Sequence, residues 1–99
     1  MATVSFIHVG STTSIAPGVT LHWWWNNAPT QRVYAFSVDT IMSLSIPPQP
    51  GSAATIEITR VEYWDKYNSP SFEKEVHFWI KNTGTIAASF NVHMAQISD

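Results

Sequence analysis

Apolar and polar side chains alternate with period two through most of the chain, and clusters of Pro, Gly, Ser and Asn interrupt the alternation at short intervals. Successive side chains of a strand point to opposite faces, so this pattern predicts strands joined by turns. No window repeats at the helical period, and no helix of consequence is expected. The first strand is expected over residues 3–9, ending at Gly10 and the polar run Ser11-Thr12-Thr13-Ser14. Pro17-Gly18 predicts a turn, because Pro presets one backbone angle and Gly permits the positive one that follows. Residues 19–26 then form a strand with Val19, Leu21, Trp23 and Trp25 on one face and Thr20, His22, Trp24 and Asn26 on the other. After a loop, residues 32–38 turn Tyr34, Phe36 and Val38 inward. Asp39-Thr40 is expected to break that strand before a shorter one over 41–46.

Pro47-Pro48-Gln49-Pro50-Gly51 cannot pair in a sheet, since three of its five residues lack an amide hydrogen, and it is expected to cross from one sheet to another. A long strand follows over 55–64. Its alternation runs through Ile56 and Ile58, then shifts to Val61 and Tyr63, which predicts a bulge near Thr59-Arg60 that turns Trp64 outward. Residues 65–71 read as a polar loop. The final expectation is a hairpin, 74–81 joined to 87–97 through Asn82-Thr83-Gly84-Thr85, with Phe78 opposite Phe90 and with His77, Trp79 and His93 together on the outer face. Together these elements predict an all-β fold: one domain over residues 1–99, an antiparallel two-sheet β-sandwich of about seven or eight strands, immunoglobulin- or fibronectin-like or a jelly roll.

Composition narrows what such a domain would do. The formal charge is −2, and the five basic residues Arg32, Arg60, Lys66, Lys74 and Lys81 are scattered. Nucleic-acid binding needs a clustered positive face, so no nucleic-acid partner is expected. With no cysteine there is no disulfide framework and no thiolate for a metal or a reaction. No apolar run approaches the ~20 residues of a membrane-spanning helix, and the first residues lack a secretory signal. The expectation is synthesis in the cytoplasm without a signal peptide, with release or non-classical export left open. Charged residues make up 12% of the chain against about 25% in an ordinary soluble domain, while aromatic residues reach 13% with five tryptophans. The surface must therefore be built largely from neutral polar groups and some exposed rings.

The run His22-Trp23-Trp24-Trp25-Asn26-Asn27 stands out, because a strand buries only alternate residues and three consecutive indoles leave at least one facing away from the core. An indole stacks on the C–H face of a hexose while neighbouring polar groups bond its hydroxyls. Trp24, His22, Asn26 and Asn27 are thus the first candidate ligand-binding residues, with Trp79, His77, Asn91 and His93 a second patch. Covering by a neighbouring subunit explains the same rings. Trp64, Asp65, Tyr67 and Asn68 make a third candidate at a loop. Glu75 beside His77 and His93 could hold a metal, but no histidine pair has a short zinc-type spacing, so no metal and no cofactor are expected. Glu57, Glu62, Glu73 and Glu75 are available carboxylates, but paired catalytic acids must flank a cleft for which a 99-residue sandwich has little room. There is no nucleophile elbow and no phosphate-cradling glycine loop. The sequence thus points to a non-enzymatic, lectin-like carbohydrate-binding homo-oligomer. The alternative is a structural or assembly module, of a capsid, fibre or toxin, whose aromatic residues form subunit interfaces.

Overall fold

The computed structural model of the chain describes residues 3–26, 32–43 and 49–98. Six strands run through them: β1 (Thr3–Ile15), β2 (Thr20–Asn26), β3 (Arg32–Met42), β4 (Ile56–Asn68), β5 (Ser71–Asn82) and β6 (Ala88–Ser98). They form two antiparallel three-stranded sheets, one ordered β1-β6-β3 and the other β2-β5-β4. The chain changes sheet at every connection except the β4–β5 hairpin. The proline-rich segment before β4 thus joins strands of different sheets, as the sequence predicts.

The core is made by the two central strands. Val76, Phe78 and Ile80 of β5 and Phe90, Val92 and Met94 of β6 are all at most 1% exposed. Phe78, Ile80, Phe90 and Val92 belong to one cluster, joined by Ile15, Ile56 and Ala88. Fully burying one such large aliphatic or aromatic side chain contributes about 1.5–3 kcal/mol, so these two strands carry much of the driving force. Trp23 packs tilted on Phe90, centroids 5.6 Å apart, and Phe36 on Phe78 at 4.5 Å, each contact linking one sheet to the other. Trp23 reaches in because Gly10 leaves room: a Cβ at Gly10 would stand 3.1 Å from the indole ring.

Several expected boundaries move. Ser11 to Ser14 do not end β1. Register shifts between His8 and Gly10 and between Thr12 and Ile15 re-seat the strand on β6, so Ser11 and Thr12 stay paired and Ile15 enters the core. The expected break at Asp39-Thr40 does not occur, since both residues pair with Asn91 and Phe90 in a continuous β3. The end of the expected strand over 41–46 falls on residues 44–48, outside the described residues. The expected loop over 65–71 is mostly strand, with a turn at Ser69-Pro70, whose peptide bond is cis. Asp65 pairs with Lys74 at 3.1 Å and Tyr67 packs on Phe72 at 5.1 Å, cross-strand contacts that carry the hairpin outward. The bulge at Thr59 and the turn at Gly18, with φ of 84°, are as the sequence predicts.

The largest departure concerns the last two strands. β5 and β6 do not pair as a hairpin but lie in different sheets. Asn82 redirects the chain between them. Its side chain is wholly buried and its Nδ2 donates to the carbonyls of Ile15 (3.0 Å) and Ile86 (2.9 Å), while its Oδ1 accepts from the Gly84 amide (3.0 Å). The Asn82 amide donates to the Val19 carbonyl and the Asn82 carbonyl accepts from the Gly18 amide, so one residue ties the β1–β2 connection to the β5–β6 connection.

The molecule is elongated, 52 × 33 × 17 Å, with a radius of gyration of 16.1 Å against about 13 Å for a compact 100-residue domain. The β4–β5 hairpin explains part of this. Tyr63, Tyr67 and Phe72 lie on its core-facing side yet are 60–68% exposed, so its far end runs past the opposing sheet.

Candidate functional site

The outward face of the β2-β5-β4 sheet gathers the unusual residues into three rows. The strand register sets His22, Trp79 and Arg60 in one row, Trp24, His77 and Glu62 in the next, and Asn26, Glu75 and Trp64 in the third. Alternation in β2 and β5 places the first two members of each row. The bulge at Thr59 places the third, because without the extra residue Arg60, Glu62 and Trp64 would face the core.

At the centre, Glu75 and His77 are 4% and 3% exposed although they lie on the side away from the core. Rings of neighbouring strands cover them. Trp64 stacks on His77 with centroids 3.5 Å apart and planes 19° apart, and Trp24 lies near-parallel to it at 5.9 Å. Burying a carboxylate and an imidazole costs several kcal/mol unless their polar atoms are satisfied. Here they satisfy each other: His77 Nε2 donates to Glu75 Oε1 at 2.8 Å, and His77 Nδ1 is hydrogen-bonded to His22 Nε2 at 2.7 Å. His22 in turn stacks on Trp79, 4.3 Å between centroids and 3° between planes.

The third strand closes the network. Arg60 sits 4.4 Å from the Trp79 ring centroid in a cation–π contact. Glu62 Oε2 accepts from Arg60, and its Oε1 accepts from the Trp64 indole N–H at 2.9 Å. These hydrogen bonds, the Trp64 one first, together with the Arg60 charge, hold the Glu62 carboxyl below its ordinary value of 4.5. Trp64 is thus pinned by its nitrogen to Glu62 while its face rests on His77. Trp24 remains 57% exposed and Trp64 39% exposed, both over the hydrogen-bonded network.

Of the sequence-predicted residues, Trp24 and His22 share this face with His77 and Trp79 of the second patch, so two expected patches are one, and Asn26 pairs along the backbone with Glu75. Asn27 lies outside the described residues. Asn91 and His93 do not belong: they are on the outward face of the β1-β6-β3 sheet, where His93 packs against His8 at 5.2 Å and Asn91 stands between Ser11 and Asp39. The expected grouping of His93 with His77 and Glu75 fails because β6 lies in the other sheet instead of pairing beside β5. Trp64 joins the main face, while Tyr67 is on the opposite side of its strand. Arg60 and Glu62 were not anticipated, although their i, i+2, i+4 spacing with Trp64 after the bulge was a readable signal.

Both nitrogens of His77 are engaged within the network, and the described residues contain no group of three or more His, Cys, Asp or Glu arranged to hold a metal ion. No helix among them is long and apolar enough to cross a membrane. The other outward face differs in kind. Val4 and Phe6 of β1 and Ile97 of β6 are exposed there, Phe6 by 82%, opposite Ala95. Comparison with known proteins gives no match to any family model, curated protein or solved structure.

Proposed function

We propose that this chain is a lectin-like carbohydrate-binding protein, built as a β-sandwich of the two sheets, that offers the outward face of the β2-β5-β4 sheet to sugar and acts without catalysis. The observation that carries this reading is the concentration of three indoles, Trp24, Trp64 and Trp79, on one face over a buried and mutually satisfied Glu75–His77 pair. Fixed rings lose little freedom when a ligand arrives, which favours binding by a shallow surface. The exposed Trp24 ring takes the C–H face of a hexose. Arg60 and Glu62 bond hydroxyls at one edge of the face and His22 at the other.

The site as folded is less neutral than a charge-poor sequence leads one to expect, since a guanidinium and a carboxylate border it. Both ions are paired with each other and the Glu75 carboxylate is buried, so the exposed part of the face is close to neutral and suits an uncharged ligand. Shallow sites bind weakly, and several copies in one assembly raise their effective strength through avidity. The apolar outward face with Val4, Phe6 and Ile97 is a suitable surface for such a homo-oligomer.

A second reading, a structural or assembly module, is favoured by that same apolar face and by the exposed Tyr63, Tyr67 and Phe72 of the hairpin arm. Exposed aromatic surface of this kind is characteristic of subunit contacts. A glycan array followed by titration with the sugars that bind separates the two. Binding that Trp24→Ala abolishes while the oligomer stays intact supports the lectin; no binding, from an oligomer that Tyr67→Ala or Phe72→Ala dissociates, supports the assembly module.

A further inference from the structure

We propose that His22 Nδ1 sets the hydrogen-bonding polarity of the candidate ligand face, and that a single proton taken up by the Glu75–His77–His22 chain reverses it from acceptor to donor. The argument follows from which atoms can donate. A carboxylate only accepts, so the 2.8 Å bond fixes a proton on His77 Nε2. In a neutral His77 the other nitrogen, Nδ1, is then bare and must accept. The 2.7 Å bond therefore carries the proton of His22 Nε2, and His22 Nδ1 is left as a bare acceptor. Among the described residues no hydrogen bond engages that atom.

One added proton reverses the roles of His22 Nδ1, His22 Nε2 and His77 Nδ1 without moving a ring, while His77 Nε2 keeps donating to Glu75. Solvent delivers it to His22 Nδ1, and the proton on His22 Nε2 passes along the bond to His77 Nδ1. The positive charge then rests on His77, against the Glu75 carboxylate and the faces of Trp64 and Trp24, where an imidazolium gains both an ion pair and cation–π contact. His22 ends neutral, with its Nδ1 now a donor. The other charged groups facing the chain are Glu62 and Arg60 on β4, already paired with each other, while Lys81 and Glu57 stand one row beyond Trp79. Among the described residues, Glu75 is thus the one carboxylate hydrogen-bonded to either imidazole.

For a ligand the two forms are distinct. The bare nitrogen accepts from a sugar hydroxyl, and the protonated one donates to a carbonyl or carboxylate oxygen. This consequence rests on the carbohydrate reading, but the proton chain itself does not.

The test is ring-nitrogen NMR of the full chain, without ligand, from about pH 5 to pH 9, the range in which imidazoles titrate. The expected result is one transition shared by His22 and His77, at which His22 Nδ1 changes from bare to protonated. Glu75→Gln removes the counter-charge and moves the transition to lower pH, and His77→Phe leaves His22 titrating alone. Near-UV circular dichroism checks that each variant keeps its packed tryptophans. Two independent transitions in the unsubstituted chain, or a His22 Nδ1 protonated throughout, overturn the proposal. Titrating methyl glycosides at both ends of the transition separates the two ideas: a shared transition with no sugar bound upholds the proton switch and removes the sugar reading.

Discussion

Trp64 lies face to face on His77, 3.5 Å between ring centroids, while its indole nitrogen donates to Glu62 on its own strand. A ring from an edge strand thereby seals a buried ionisable pair of the central strand. Trp64→Ala is expected to admit water to Glu75 and His77 and to lose the stacking, a destabilisation of about 1–3 kcal/mol in urea unfolding. Trp64→Phe keeps the stack but not the hydrogen bond, and should lose less than half as much. Equal losses in the two variants would show that the stack contributes little.

Asn82 should be among the most sensitive polar positions. Asn82→Ala leaves the Ile15 and Ile86 carbonyls and the Gly84 amide without their partner in a closed part of the molecule. At about 1–3 kcal/mol for a buried group left unsatisfied, a loss of roughly 3 kcal/mol or more is expected from chemical denaturation. A loss below about 1 kcal/mol would mean that water replaces the side chain.

Gly10→Ala tests the close approach of Trp23. The added Cβ would meet the indole at 3.1 Å, and the ring is held by Phe78 and Phe90 and has little room to retreat. Overpacking of this kind costs about 1–3 kcal/mol, and a shift in tryptophan emission should accompany it. Unchanged stability and emission would show that the ring yields.

The lowered Glu62 carboxyl gives a stability contribution with a defined sign. A carboxyl whose folded value is below its unfolded one stabilises the fold above the unfolded value, near 4.5, and loses that contribution as pH falls through the lowered folded value. Comparing Glu62→Gln with the unsubstituted chain should show a stability difference at pH 7 that shrinks once the pH passes below about 4.5. A difference independent of pH would place the effect in packing.

Much of this was legible in the alternation of side chains. Leu21, Trp23 and Trp25 turn inward and His22 and Trp24 outward, as period two requires, and the shift between Ile58 and Val61 marked the bulge that brings Arg60, Glu62 and Trp64 to the site. What alternation cannot convey is which strand lies beside another. Phe78 and Phe90 both face the core, and that parity is the same whether their strands pair or oppose one another across it. The deciding residue was Asn82, whose buried amide sends the chain to the other sheet and separates His93 and Asn91 from His77 and Trp79. The burial of Glu75 and His77 was likewise hidden, because it depends on rings from β2 and β4 meeting over β5.

The central claim, that the indole face binds sugar, is tested most directly by intrinsic tryptophan fluorescence during titration with a panel of mono- and disaccharides, with light scattering on the same sample. The account predicts a saturable shift that Trp24→Ala abolishes, with the mass of the assembly unchanged. No shift with any sugar, from an assembly that Trp24→Ala takes apart, would contradict it and assign the face to subunit contact.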